Sequence, residues 1–172
     1  SRAFPGGTGE VKCGGNYAGG LYPSKMGQDK GYHQNLWTDA MEHKYIEESG
    51  TMNVFFIIDG VLTTPSLDGT ILAGITRDSI LTLAREKGLK TAERKVSVEE
   101  VVAGIRNGSV SAAFGAGTAA TIAPISVVGY KGEDLPLPQL GADSEVNLIG
   151  KMLDDIRRGH LADKHGWLVG VD

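Results

Sequence analysis

The sequence predicts a single α/β domain built on a mixed β-sheet that is partly curled and flanked by helices. Length is the first reason, because 172 residues fit one domain with a sizeable core. The second is a pattern of short apolar runs bounded by turn residues and interspersed with amphipathic segments. Strand-like and helix-like segments do not alternate strictly, which favours a mixed sheet over a wholly parallel one.

Composition excludes several classes of protein. Hydrophobic residues make up 41% and charged residues 22% of the chain, as in ordinary globular domains. A net charge of −4 argues against a general nucleic-acid or anionic-membrane surface. The single cysteine, Cys13, excludes an internal disulfide, and the four histidines lack ligand-like spacing. No apolar run approaches the ~20 residues of a membrane span. We therefore expect a cytoplasmic protein without a metal site.

The first half of the chain is predicted to hold one weak helix and four strands. The helix, over residues 16–30, is weakened by glycines and a proline inside it. The clearest local signal is Asp59-Gly60 between two apolar runs, which favours a hairpin with a type I′ turn. The predicted strands are 34–38, 44–48, 53–58 and 61–64.

The second half is predicted to carry three helices between further strands. Thr76 is a natural N-cap for a helix that ends at Gly88, and Ser97 with Glu100 forms a capping box for the next. A third helix, 145–158, has apolar residues along one face. The remaining predicted segments are strands at 89–96 and 110–114, one or two strands within 121–130, and a proline-rich loop at 135–141.

Two adjacent carboxylates, Glu47 and Glu48, stand just before the most hydrophobic segment, Val54–Ile58. Taken alone, such a pair is most simply interpreted as solvated residues at the end of a strand. A carboxylate held between two buried strands would instead need a cationic partner or a donor, because an unpaired buried charge is strongly unfavourable.

Two segments could each hold a phosphate group, although each alone also fits a plain helix cap or a tight turn. Gly74-Ile75-Thr76 precedes a predicted helix, whose N-terminus presents free N–H groups. Gly115–Ala119 is a second glycine loop that ends in a hydroxyl and an alanine. Lys12 lies in another glycine-rich stretch, five residues before Tyr17. A lysine, a phenol, a buried carboxylate and phosphate-binding loops are what a pyridoxal phosphate site needs.

Four motifs resemble those of branched-chain amino-acid aminotransferases, which are class-IV pyridoxal phosphate enzymes. Residues 12–17 resemble the family's Lys-x-Gly-Gly-Asn-Tyr motif, and residues 47–53 its Glu-Glu-x-Gly-x-Met-Asn segment. Residues 72–77 and 115–120 resemble its two phosphate and substrate loops. The motifs stand in the family's order across the whole chain. The resemblance implies the D-amino-acid-aminotransferase-like architecture, fold type IV.

The resemblance also implies a role for each matched position. Lys12 would be the catalytic lysine that carries the cofactor, pyridoxal 5′-phosphate, and moves the substrate proton. Glu48, rather than Glu47, would pair with the pyridine nitrogen, since alternation puts only one of them on the cofactor side. The remaining cofactor contacts would come from Tyr17, Ile75, Thr76 and Thr118, and the substrate contacts from Thr51 and Ala119.

The implied reaction is transamination of L-leucine, L-isoleucine and L-valine with 2-oxoglutarate, carried out by a homodimer. Family members are longer because a small domain precedes the large one. We therefore expect residues 1–172 to form the large cofactor-binding domain, with that small domain absent from this chain. Two alternatives stay open: a D-amino-acid aminotransferase or aminodeoxychorismate lyase of the same fold, and a catalytically silent fragment that serves only as an assembly or binding domain.

Overall fold

The computed structural model describes residues 1–171 and has an α/β fold with one large mixed sheet. Its helices are α1 (Gly14–Ala18), α2 (Leu21–Gln28), α3 (Ile75–Glu86), α4 (Val98–Asn107) and α5 (Glu145–Arg157). Its strands are β1 (Leu36–Thr38), β2 (Tyr45–Ser49), β3 (Met52–Ile58), β4 (Val61–Thr64), β5 (Thr91–Glu93), β6 (Val96–Ser97), β7 (Val110–Gly117), β8 (Thr121–Pro124), β9 (Val127–Tyr130) and β10 (Glu133–Pro136).

Strand β3 lies at the centre of the eight-stranded sheet. It pairs with β7 along one edge, and with β2 and then β4 along the other, always antiparallel. The only parallel pair in the described part of the chain is β4 with β5, which α3 connects. The mixed sheet predicted from the sequence is confirmed, and over residues 1–171 it stays open rather than closing into a barrel.

Two hairpins use the same left-handed turn. Asp59 and Gly60, between β3 and β4, have φ values of 49° and 73°, as the predicted type I′ turn requires. Lys131 and Gly132 repeat this conformation between β9 and β10, with φ values of 50° and 84°. The sequence prediction missed β10, which ends at Pro136, because residues 135–141 were assigned to a proline-rich loop. The strand forms because it is one of only two strands in a separate small sheet, whose outer edge tolerates proline.

The apolar core has two parts, one on each face of β3. Successive side chains of a strand point to opposite faces, so Phe55 and Phe56 enter different clusters. Phe55 stacks on Phe114 with ring centroids 5.1 Å apart, beneath α3 and α5. Phe56 packs with α4 and with the small β9–β10 sheet. Both faces of the sheet are therefore covered, which leaves the ends of its strands accessible.

Three sequence predictions about elements are wrong in detail. Gly74, not Thr76, is the N-cap of α3, because its backbone is still extended (ψ 135°) and the chain becomes helical at Ile75. The helix predicted over 16–30 is divided at Gly19-Gly20 into α1 and α2. The strand predicted over 89–96 is divided into β5 and β6. In contrast, Ser97 caps α4 as predicted, accepting a 3.0 Å bond from the Glu100 N–H.

We predict that Phe114→Ala destabilises the fold by about 3–5 kcal/mol, because the substitution leaves a cavity against Phe55. Phe114 is completely buried, whereas Phe4 is 58% exposed. Phe4→Ala is therefore the matched control and should change the free energy of unfolding little. Urea unfolding followed by circular dichroism measures both; equal losses in the two variants would contradict the position assigned to Phe114 in the core.

Candidate active site

One end of the sheet gathers the turns that carry the sequence motifs. Glu48 pairs with Asn53 across β2 and β3, and Asn53 pairs with Ala116 across β3 and β7. The Gly50-Thr51 turn and the turn at residues 118–120 therefore lie side by side. Strand β4 ends at the same place, where the Thr64 hydroxyl donates to the Val54 carbonyl at 2.7 Å. Antiparallel pairing thus brings distant motifs together.

Glu48 is the buried centre of this end, with 4% of its surface exposed. Its Oε1 accepts a 3.2 Å bond from the Leu72 N–H, and its Oε2 forms an ion pair with the Arg2 guanidinium. Burial raises the pKa of Glu48 to about 7, although the Arg2 charge and the Leu72 N–H both oppose the rise. The carboxyl group is therefore poised between its two protonation states near neutral pH.

Arg2 ties three segments together at this point. Its Nε pairs with Glu48, and its Nη2 donates to the carbonyls of Gly9 at 2.8 Å and Thr70 at 2.7 Å. The Arg2 side chain is only 7% exposed. A Cβ on Gly9 would lie 2.5 Å from the Thr70 carbonyl oxygen, so glycine is required for this close approach. The entry loop, residues 1–9, has an irregular backbone and is held at this point by Arg2 and Gly9.

Sequence reasoning missed Arg2. Forty-six positions separate it from Glu48 in the numbering, so no local pattern joins the two. The signal that could have found it was chemical: a buried carboxylate needs a cation, and arginine suits buried ion pairs better than lysine. Only the tertiary structure identifies which arginine supplies the charge.

The loop that carries Lys12 is pinned by Asn16, which is buried. The Asn16 amide donates to the carbonyls of Thr8 at 2.7 Å and Val11 at 2.8 Å, and its oxygen accepts from the Thr8 hydroxyl. Lys12 itself is exposed, and Tyr17 on α1 is half-buried.

The loop that carries Lys12 is connected to the surroundings of Glu48 through Gly9. Lys12 is three positions after Gly9, a separation that spans at most about 11 Å of chain. Gly9 is bonded to Arg2, and Arg2 to Glu48. Within residues 1–171 the connection between Lys12 and Glu48 is therefore indirect, through Gly9 and Arg2, and no direct bond joins their side chains.

The first turn of α3 presents N–H groups toward the same end. The first backbone hydrogen bond of α3 is donated by the Asp78 N–H to the Gly74 carbonyl. The N–H groups of Ile75 and Thr76 therefore make no hydrogen bond within the helix. A Cβ on Gly74 would lie 2.2 Å from the Asn53 amide oxygen, and Asn53 in turn donates to the Leu72 carbonyl. Asn53 thus fixes the approach of α3 to β3, and the helix start can accept an anion.

The outer positions of the site are open. Ile75 is 82% exposed, and Thr51, Thr118 and Ala119 are exposed on their turns. The structure therefore brings Glu48, Thr51, Thr118, Ala119 and the start of α3 to one end of the sheet.

Glu47 is also buried, so the interpretation of both carboxylates as solvated strand-end residues is wrong. Its Oε1 accepts a 2.6 Å bond from the Thr70 hydroxyl, whereas Oε2 has no hydrogen-bond partner in the described part of the chain. Burial raises the pKa of Glu47 as well. Of the two adjacent carboxylates, Glu48 is the one that pairs directly with Arg2.

Two further findings concern metals and membranes. Within residues 1–171, no cluster of three or more His, Cys, Asp or Glu side chains is arranged to hold a metal ion. None of the helices in that range is both long enough and apolar enough to cross a membrane.

The family profile described as amino-transferase class IV matches residues 11–128. The chain belongs to the class-IV aminotransferase family. It is 42% identical to branched-chain-amino-acid aminotransferase 2 of Bacillus subtilis, over 99% of this chain and 47% of that protein. It is 41% identical to a probable branched-chain-amino-acid aminotransferase of Streptomyces coelicolor, over 97% of this chain and 46% of that protein.

Solved structures of branched-chain aminotransferases have the same fold. The enzyme of Escherichia coli superposes with a TM-score of 0.77 at 31% identity, over 93% of this chain and 50% of that one. The enzyme of Thermobaculum terrenum, solved in its PLP (holo) form, superposes with a TM-score of 0.70 at 28% identity, over 90% of this chain and 47% of that one. The class-IV chain thus spans about half the length of the relatives it matches.

We predict that Glu48→Gln removes a pH dependence of stability. The folded pKa of about 7 lies above the ordinary value of 4.5, so the protonated acid stabilises the fold fully below pH 4.5, and this stability is lost as pH rises through 7. Relative to the glutamine variant, the unmodified chain should lose roughly 3 kcal/mol of unfolding free energy between these pH values.

Urea unfolding at a series of pH values measures this difference. Glu42→Gln, which changes an exposed carboxylate, is the control and should keep the pH dependence of the unmodified chain. Curves of Glu48→Gln and the unmodified chain that run parallel over this range would contradict the raised pKa of Glu48.

Proposed function

We propose that this chain binds pyridoxal 5′-phosphate and supplies the catalytic lysine for transamination of L-leucine, L-isoleucine and L-valine with 2-oxoglutarate. The observation that carries the proposal is the buried Glu48 carboxyl group, ion-paired with Arg2 beside the loop that leads to the start of α3. The substrate class is supported by relatives that are named branched-chain-amino-acid aminotransferases and that match nearly the whole chain.

The residues present fit this cofactor chemically. A buried acid with a charged partner suits a protonated pyridine nitrogen, and N–H groups at a helix start suit a phosphate. An exposed lysine in a pinned loop suits a covalent link to an aldehyde. When bound, pyridoxal phosphate supplies an electron sink for bond cleavage at the substrate Cα.

The chain's own residues then have separate tasks. Glu48, in its ionised form, would lie beside the ring nitrogen, and Tyr17 would donate to the phenolic oxygen. Ile75, Thr76 and Thr118 hold the phosphate. Lys12 would carry the cofactor and would move the proton released from the substrate Cα, as general base and then general acid.

Substrate orientation is assigned to the exposed rim of the site. Thr51 and the Ala119 N–H bind the substrate carboxylate, because their turns lie side by side at the end of the sheet. The proposal includes a homodimer in the cytoplasm, and it takes residues 1–172 as the family's large, cofactor-binding domain.

We predict that borohydride reduction of the chain with pyridoxal phosphate labels Lys12, as identified by peptide mapping. Before reduction, mixing should produce the visible absorption band of a lysine-bound cofactor, because Lys12 is exposed and its loop is held by Asn16. Lys12→Ala should abolish both band and label. Lys30→Ala, which removes another exposed lysine, is the control and should retain both.

The same sample separates the alternatives. Loss of the band on adding L-leucine or L-glutamate supports the proposed reaction, whereas a response to D-alanine alone would indicate a D-amino-acid aminotransferase. No band at any cofactor concentration would instead support a silent fragment that serves only as an assembly or binding domain.

A further inference from the structure

We propose that Arg2 is a positioning residue that favours the ionised form of Glu48 and orients its carboxyl group for the ring nitrogen of the cofactor. This inference rests on the proposed function for its cofactor, but its electrostatic part concerns only this chain's own residues. The known motifs of the site begin at Lys12, so Arg2 lies outside all of them.

The geometry around Arg2 constrains Glu48 on one side only. Oε2 of Glu48 is held by the Arg2 guanidinium, whereas Oε1 accepts from the Leu72 N–H at 3.2 Å and from the Asn53 side-chain amide at 3.5 Å. Both bonds to Oε1 are long, whereas a cationic N–H forms a short, charge-assisted bond with a carboxylate oxygen. A cationic donor can therefore replace the weak Asn53 contact at Oε1, while Arg2 keeps the carboxyl group oriented.

The guanidinium is itself held in place without a second charge. Its Nη2 donates to the Gly9 and Thr70 carbonyls, both neutral, at 2.8 and 2.7 Å. The Arg2 charge is therefore directed at the two buried acids beside it. It pairs with Glu48 directly and, from a greater distance, opposes the rise that burial causes in the pKa of Glu47.

The charge of Arg2 matters for the cofactor because it affects the protonation state of Glu48. Desolvation favours the neutral acid at Glu48, and Arg2 is the main influence that opposes it. A neutral acid could still donate a hydrogen bond to a ring nitrogen, but it could not stabilise a protonated ring by ion pairing. Without Arg2, the site would therefore favour the unprotonated ring, which is the poorer electron sink.

The link also positions the catalytic loop. Gly9, three residues before Lys12, is bonded to the same guanidinium that pairs with Glu48. Arg2 thus joins the segment carrying the amine to the residue facing the ring nitrogen. A side chain with a purely structural role would join these segments without changing the pKa of Glu48. The pH dependence of stability therefore distinguishes the two roles.

The test compares Arg2→Met, which keeps an apolar stem without charge, with Arg2→Lys, which keeps the charge. Arg94→Gln is the matched control, because it removes another Arg–Glu pair, that of Arg94 with Glu100, at a distance from the site. Unfolding is measured against pH for each variant, with and without Glu48→Gln, in a double-mutant cycle without cofactor.

We expect Arg2→Met to raise the proton affinity of Glu48 by about 10- to 1000-fold, the usual effect of removing an adjacent opposite charge. The shift should vanish in the Glu48→Gln background and be largely rescued in Arg2→Lys. Arg94→Gln should lower stability without moving the pH midpoint. Identical pH profiles for Arg2→Met and Arg94→Gln would overturn the proposal.

The second readout uses the cofactor. Arg2→Met should raise the dissociation constant of pyridoxal phosphate by about tenfold or more and shift the pH dependence of its absorption spectrum, because a neutral Glu48 no longer stabilises the protonated ring. Equal affinities and spectra in Arg2→Met and Arg94→Gln would contradict the role. A wild-type chain that binds no cofactor would contradict the proposed function instead, and the cofactor-free cycle then decides the electrostatic role of Arg2.

Discussion

The buried ion pair between Arg2 and Glu48 is the interaction on which the rest of the candidate site depends. Removing one partner of a buried pair typically destabilises a protein by about 3–5 kcal/mol, because the other charge is left uncompensated. Here the pair also joins three segments: the entry loop, the loop before α3 and the end of β2. This one buried ion pair therefore affects both the charge of Glu48 and the packing of the three segments.

The sheet explains why the site forms where it does. Antiparallel pairing of β3 with β2 and β7 places two turns next to each other, and β4 delivers the chain to the start of α3 at the same end. The opposite end of β3 is closed by the tight Asp59-Gly60 turn. A rigid scaffold that displays functional residues on its turns is a common arrangement, because turns tolerate polar and exposed side chains.

Burial changes in a regular way across the site. Glu48 and Asn53 are buried, Thr76 and Tyr17 are partly buried, and Lys12 lies exposed on its loop. The low-dielectric inner part strengthens electrostatic interactions such as the ion pair of Glu48 with Arg2. The exposed outer part is open to solvent.

The sequence by itself determined the ordered motifs, the Asp59-Gly60 hairpin and the Ser97 cap, because each depends on residues close together in the chain. The resemblance and strand alternation also predicted that Glu48, rather than Glu47, faces the cofactor, which stays a prediction. The sequence did not give helix boundaries that depend on packing against distant residues. The predicted 16–30 helix, for example, is divided at Gly19-Gly20, where Gly20 lies against the Trp37 ring.

Only the tertiary structure decided the burial of Glu47, the start of α3 at Gly74, and the pairing of Arg2 with Glu48. Each of these depends on segments that meet after the chain has folded. Local patterns report propensity and periodicity, whereas desolvation and charge pairing depend on what lies nearby in space. The sequence motifs therefore pointed to Glu48, but only the fold shows that Arg2 is the cation paired with it.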